Sequence, residues 1–303
     1  IGCTGFIGRE LIERLMNSEH RLTVLSRKDA TKTSKRINHL RLDPKNSSTW
    51  QKELIINELN QSDGIINLVG EPIAEKRWSP AHCELLKESR IKTTQYLIQA
   101  ISKLKKPPKV LINASAIGFY GTSRSMEFTE ESESGKDFLA NLCNDWEQSA
   151  KQKRRETRLL ILRIGIVIGP GGGALGKMLP IFRTGFGGPI GDGKQWMSWI
   201  HRTDLCNIIE TSLTNNSWKG VINAVAPQPV RMSDFSHTLG QTLDRPSLLP
   251  VPSPILKLLL GDGAMVVIEG QCVKSNLLKK LNYQFIYPDL TTALADATKL
   301  KNH

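Results

Sequence analysis

Short apolar runs and amphipathic helices alternate along the first half of this chain, and that alternation limits its fold more than any other feature. Residues 6–18 place Phe6, Ile7, Leu11, Ile12, Leu15 and Met16 at helical spacing. Strand patterns follow at 21–26 (RLTVLS) and 37–43 (INHLRLD), then a helix-like stretch at 47–60. The buried strand 63–69 (DGIINLV) precedes a long helix over 79–103 and the strand 110–114 (VLINA). A helix over 136–154 then leads to a near-continuous apolar strand at 159–168. Strands without polar alternation, separated by helices of this length, predict βαβ units and a parallel sheet covered on both faces. The expected class is α/β, a doubly wound parallel (Rossmann) sheet.

After Pro170 the texture changes. Glycines crowd 169–193, a helix pattern at 203–214 leads to a strand at 220–225, and a Pro-punctuated stretch begins at Pro246. This predicts a dinucleotide-binding domain over 1–168 and a smaller α+β substrate domain over most of 169–303, with 200–226 returning to the first domain. No apolar run approaches the ~20 residues of a membrane-spanning helix. The cysteines at 3, 83, 143, 206 and 272 are odd in number and form no CxxC pair, which fits a reducing cytoplasm rather than a disulfide scaffold. The histidines show neither HxxxH nor HExxH spacing, so no metal is expected.

The net charge of +12 raises the question of nucleic acid. Two basic clusters contribute, one of Lys103, Lys105, Lys106 and Lys109 and one of Lys151, Lys153, Arg154 and Arg155. Each closes a helical pattern, where cations favour the negative end of the helix dipole, and neither interleaves with aromatics for stacking. Nucleic acid is therefore not an expected partner; a small-molecule substrate is.

Gly2, Gly5 and Gly8 stand three apart at the opening of the first helix. Small residues there let a phosphate approach backbone N–H groups at the positive end of the helix dipole. The following strand ends in Ser26, Arg27 and Lys28, with no acid to take a ribose 2′-hydroxyl. An Arg at that place suits a 2′-phosphate, so the pair of features predicts NADP(H). A Rossmann glycine turn follows a strand, so the first strand is expected to lie ahead of Ile1. A second glycine run, 171–177 (GGGALGK), fits GxxxxGK, but Met178 stands where a P-loop needs a hydroxyl for Mg²⁺. A loop over a ligand is the better reading.

Together these blocks resemble a family. The chain is similar to the extended or atypical short-chain dehydrogenase/reductases, and more closely to their nucleoside-diphosphate-sugar epimerase subgroup, which carries a C-terminal domain of unknown function. The resemblance rests on TGFIGREL, SRK, INLVGEPI with KRW, ESRIKTT, NASAIGFYG, LCNDWE, LRIGIVIGPGGGALGKM, GGPIGDGKQ, WIHRTDL and LLLGDGAMVVIEGQ. It implies that Gly2, Thr4, Gly5, Phe6, Ile7 and Gly8 cradle the pyrophosphate and that Ser26 and Arg27 take the 2′-phosphate. It further implies that Leu68, Val69 and Gly70 line the nicotinamide-side ribose, that Arg90 reaches the cofactor, and that Arg163 and Val167 lie where the last strand meets the site.

In the wider superfamily a Tyr moves the substrate proton, a Lys four residues on lowers its pKa, and a Ser on the preceding strand binds the carbonyl. Residues four apart share a helix face, and a nearby cation favours the phenolate. Ser115 matches the Ser, but Leu139 and Cys143 occupy the Tyr and Lys places. The tyrosines are Tyr96, Tyr120, Tyr283 and Tyr287, followed four residues later by Ala100, Arg124, Tyr287 and Thr291. Tyr120, five residues past Ser115, is left as the candidate proton donor, or else as a residue that packs against the ligand without titrating.

Other constellations point to structure. Ser115, His201 and Asp204 lack a nucleophile elbow, and Asp204 is expected to cap the helix after it. Asp192 and Lys194 belong to a loop that could face substrate, while Trp196 and Trp199 suit a core and Cys143 a buried thiol. The expected function is an NADP(H)-dependent oxidoreductase or isomerase (epimerase) acting on a nucleotide-sugar-like substrate. The alternative is an NADP(H)-binding regulatory protein without turnover, akin to a cell-division inhibitor.

Overall fold

The structure, a computed structural model, describes residues 1–18, 20–27 and 36–299. Helix α1 (Phe6–Asn17) leads into β1 (Leu22–Ser26) and β2 (Ile37–Arg41), followed by α2 (Glu53–Gln61), β3 (Gly64–Asn67), α3 (Pro80–Ser102) and β4 (Val110–Ala116). Next come the short β5 (Glu127–Phe128), α4 (Phe138–Lys151), β6 (Arg158–Ile164), β7 (Ile166–Ile168), α5 (Gly173–Arg183), β8 (Trp196–Met197) and β9 (Trp199–His201). The chain continues through α6 (Arg202–Thr214), β10 (Gly220–Ala224), β11 (Val230–Arg231), α7 (Met232–Thr242) and α8 (Ser253–Leu260). It ends in α9 (Met265–Ile268), β12 (Cys272–Val273), α10 (Asn276–Lys280) and α11 (Leu290–Ala297).

Four strands form a parallel sheet in the order β10-β6-β4-β3, and β1 and β2 form a parallel pair. The alternation therefore yields the Rossmann-like parallel sheet it predicts. Leu111, Ile112, Leu160, Leu162 and Ile222 are fully buried, as strands covered by helices on both faces require. A cleft of about 750 Å³ lies between the pair and the larger sheet, lined by Val24 of β1, Ile66 of β3 and Leu11 and Leu15 of α1. Ile1 runs beside β3: its nitrogen donates to the Ile66 carbonyl, and its carbonyl accepts the Leu68 N–H.

Local chemistry sets the helix starts. Ser79 accepts the His82 N–H ahead of Pro80, and Asp137 accepts the Ala140 N–H at 2.9 Å, so α3 and α4 begin on side-chain caps. Two expectations are corrected. The helix expected over 47–60 is a 3₁₀ turn, Ser47–Gln51, followed by α2, because Asn46 caps the Ser48 N–H and Lys52 is extended. The strand expected over 159–168 breaks at Gly165, where a Cβ would stand 2.6 Å from the Ser198 carbonyl oxygen. Beyond that close approach β7 leaves the sheet and pairs with β9 instead.

The break directs the chain into the second lobe, where Leu179, Phe182, Trp199, Phe235 and Leu294 share an apolar core. Asp204 is no N-cap. His201 caps α6 through Nδ1, whereas the buried Asp204 carboxylate accepts the Ile286 and Tyr287 N–H groups and the Tyr283 hydroxyl, tying the C-terminal segment to α6.

Burial pushes the His201 pKa down to about 4, with Arg202 reinforcing the shift and Asp296 opposing it. The unfolded chain then takes up this proton first, so the contribution is absent above the ordinary pKa and grows as pH falls from about 6.5 towards 4, reaching about 3 kcal/mol of lost stability. Denaturant unfolding at a series of pH values should show that loss, and His201→Asn, which keeps a capping oxygen, should remove it.

Candidate functional site

The glycine turn is built by close backbone approach. A Cβ on Gly2, whose φ is +81°, would lie 2.6 Å from the Leu68 carbonyl carbon, and one on Gly8 would lie 2.5 Å from the Cys3 Cα. Both positions therefore press the turn onto its neighbours. Gly5 differs: a Cβ there would meet only the Gly2 oxygen, at 3.4 Å, so this face of the turn is open. Gly5 is also the N-cap of α1 and supplies no side-chain cap, and the first turn of α1 carries no acid. Its leading N–H groups are free to bind an anion at the positive end of the helix.

The turn touches two neighbours. The Cys3 thiol lies 4.0 Å from the Leu25 carbonyl, which brings in the end of β1, where Ser26 is half-buried and Arg27 exposed. Lys28 lies outside the described residues. On the other side Gly2 backs onto Leu68 and Val69. That loop is held by a buried amide pair: Asn67 Nδ2 donates to Asn113 Oδ1 at 2.7 Å and to Thr94 Oγ1 at 3.0 Å, and Asn67 Oδ1 accepts the Val69 N–H. Arg90 closes over Gly70, with Nη2 donating to the Glu71 carbonyl at 2.9 Å. Its guanidinium has no carboxylate partner among the described residues, and burial lowers its pKa. The structure thus gathers residues 2–8, Ser26, Arg27, 68–70 and Arg90 around one edge of the sheet.

Ser115, at the end of β4, belongs to a second array. Its hydroxyl donates to Glu147 Oε1 at 2.8 Å; Arg163 donates to both Glu147 oxygens, at 2.8 and 2.9 Å, and through Nη1 to the Tyr120 hydroxyl at 2.9 Å. Tyr120 in turn donates to Asn223 Oδ1 at 2.6 Å. Glu147 and Asn223 are completely buried, and Ser115, Tyr120 and Arg163 nearly so. Burial disfavours the Arg163 charge, but its bonds to Glu147 and Tyr120 outweigh that and raise its pKa. Burial likewise raises that of Tyr120, against the pull of Arg163.

Two more of the expected site residues lie in this array. Tyr120, the candidate proton donor, has its hydroxyl engaged as donor and acceptor inside the core. Arg163, expected at the cofactor, holds Glu147 in a bidentate pair beneath the Phe119 ring, 3.3 Å from its centroid. Val167 packs its side chain against the main core from β7. Glu147 and Asn223, the acceptors that organise the array, were not singled out in the sequence; the available signal was a carboxylate on the buried face of α4, four residues past Cys143.

Leu139 and Cys143, the residues that the resemblance sets at the Tyr and Lys places, both lie on α4. Leu139 and Cys143 line one face of α4 against Gly118, in the turn after β4. Burial pushes the Cys143 thiol up to about 12, so it is neutral at physiological pH. Lys177 of the GxxxxGK run donates to the Ala74 carbonyl at 2.6 Å, and Gly172 and Gly173 pack on the Phe6 ring, so this run folds over the start of α1. Asp192 is exposed and paired with Arg124 at 2.6 Å; the Trp199 indole is buried, donating to the Gln228 carbonyl, while the half-buried Trp196 carries Arg231 on its ring.

Against this geometry the sequence profile of the NAD-dependent epimerase/dehydratase family matches residues 1–224, and a C-terminal domain of unknown function (DUF1731) matches 251–297. The chain belongs to the NAD-dependent epimerase/dehydratase family. It is 44% identical over 299 residues to the chloroplastic homologue of epimerase family protein SDR39U1 from Arabidopsis thaliana, covering 97% of this chain and 84% of that protein. The human epimerase family protein SDR39U1 is 36% identical, with 97% of each chain covered. The crystal structure of the human protein (isoform 2) with NADPH superposes with a TM-score of 0.87 at 35% identity, over 98% of this chain and 97% of that one. UDP-N-acetylglucosamine 4-epimerase from Bacillus cereus, at 16% identity and a TM-score of 0.75 over 98% of this chain and 95% of that one, shares the fold.

Removing the Glu147 carboxylate leaves Arg163 buried without its partner. Glu147→Ala should lower stability by about 3–5 kcal/mol in denaturant unfolding. The double change Glu147→Leu with Arg163→Met, which removes both charges, should recover much of that loss.

Proposed function

We propose that this protein binds NADP(H) at the edge defined by residues 2–8 and that its site lacks the proton-transfer device of a sugar epimerase. The observation that carries the reading is the bare N-terminus of α1, opening between Leu68 and the Ser26–Arg27 end of β1; the family resemblance adds Leu139 and Cys143 where a Tyr and a Lys are expected. The NADPH named with the human relative's crystal structure supports the choice of cofactor.

In this reading the N–H groups at the start of α1 receive the pyrophosphate beside Thr4 and Gly5, while Gly2 and Gly8 let the backbone come close. Arg27 offers a planar fork to a 2′-phosphate. Leu68, Val69 and Gly70 border the ribose on the nicotinamide side, fixed by Asn67, and Arg90 stands behind Gly70. A bound nicotinamide supplies a hydride donor or acceptor. Moving a hydride to or from a carbinol also needs a group that moves the hydroxyl proton. Leu139 has none, the Cys143 thiol is held neutral, and the Tyr120 hydroxyl is committed to Arg163 and Asn223. Ser115 alone remains near the strand end, and it already donates to Glu147. A cofactor-binding role, regulatory rather than catalytic, fits these residues better than epimerisation of a nucleotide sugar.

Two measurements test this. Isothermal titration should give NADPH binding that Arg27→Ala weakens roughly 10- to 100-fold, with NADH binding little changed, because only NADPH presents the 2′-phosphate. Equal losses for both would remove Arg27 from the assignment. Incubation with UDP-sugars and NADP⁺ should give neither epimer nor cofactor reduction. Turnover that Tyr120→Phe abolishes would restore the enzyme reading; the expected effect of that substitution is on stability, by about 1–3 kcal/mol, with NADPH affinity unchanged.

A further inference from the structure

Helix α8 has the sequence SPILKLLL, and none of its residues is buried. Ile255, Leu258 and Leu259 are 50%, 72% and 62% exposed and share one helical face at i, i+3 and i+4. The segment leading into α8 runs beside the segment leaving α5: Leu249 N–H donates to the Gly187 carbonyl at 3.3 Å, and Val251 N–H to that of Pro189 at 2.9 Å. Phe186, Leu248 and Leu249 are exposed along this seam, at 65%, 81% and 51%. Of the ten exposed large hydrophobic side chains among the described residues, six therefore lie on α8 and this adjoining seam. So dense an apolar patch on a folded surface marks an interaction site.

Charge decides what kind. Within 177–190 and 243–260 the charged residues are Lys177, Arg183, Arg245 and Lys257 against one acid, Asp244. None of the four cations is paired with a carboxylate among the described residues; Lys177 donates to Ala74, Arg183 to Thr298 and Arg245 to Arg183, in each case to a backbone carbonyl. A second copy of the chain on this face would set the same cations against each other across an isologous interface. An anionic lipid surface meets both features, with acyl chains for the leucines and phosphate headgroups for the rim.

We propose that the face formed by α8 and the adjoining 183–191 and 245–251 segments docks on an anionic lipid surface. Docking is peripheral: no helix among the described residues is long and apolar enough to cross a membrane. The end of α8 also meets the segment ahead of α3, where the Leu260 carbonyl accepts the Trp78 N–H at 3.1 Å.

The test is co-sedimentation of the full chain with phosphatidylcholine vesicles, with and without phosphatidylglycerol. The protein should pellet with the anionic vesicles alone. Leu258→Ser with Leu259→Ser, and separately Arg245→Glu with Lys257→Glu, should each weaken partitioning by about tenfold or more. Lys105→Glu with Lys106→Glu makes the same charge change in the loop between α3 and β4 and should leave it unaltered. All these positions are exposed, and an unchanged unfolding midpoint identifies a folded variant. Three results overturn the proposal: no pelleting, equal weakening by the Lys105/Lys106 control, which would mean general attraction of a basic protein, or a leucine effect confined to a monomer–dimer equilibrium in sedimentation velocity.

Discussion

Glu147 is the one carboxylate on which this arrangement hangs. From α4 it receives hydrogen bonds from Ser115 on β4 and Arg163 on β6, and through Arg163 it fixes Tyr120, whose hydroxyl reaches Asn223 on β10. Three neighbouring strands and the turn after β4 are thus pinned to one helix by a buried charge. Such a pair adds little net stability over an apolar replacement, because both ions were taken from water. Its effect is positional. Ser115 and Tyr120, the two groups that would handle a substrate hydroxyl, are turned towards a carboxylate and an amide of the protein's own core.

On the proposed reading, that commitment separates binding from chemistry in this family member. The cradle at the start of α1 depends on backbone approach and a helix dipole, neither of which needs Leu139 or Cys143. Proton transfer depends on side chains, and those positions hold a hydrocarbon and a thiol kept neutral by burial.

The sequence announced the features whose physics is local. Helical spacing located α1, α3 and α4, uninterrupted apolar runs located β4 and β6, and the glycine spacing located the turn. It could not announce features made by contact. Gly165 reads as one more residue in an apolar run until Ser198, far along the chain, leaves no room for a Cβ. Tyr120 looked like a donor because it was the tyrosine nearest Ser115; only the fold reveals Arg163 and Asn223 on either side of its hydroxyl. Glu147 was hidden for the same reason, since a lone acid on a helix is ordinarily solvated and its burial follows from β4 and β6 packing over it.

Phe6 stands at the join between the two lobes. Its ring fills the space that side chains at Gly172 and Gly173 would need, and the Arg202 guanidinium lies 4.3 Å over it. The first turn of α1 and the entry to α5 are consequently shaped against each other. A side chain at Gly172 would press on the Phe6 ring and so register as damage to the anion cradle of the other lobe. Drift in the glycine run is tied to drift in the first turn, so these two stretches can diversify only in step.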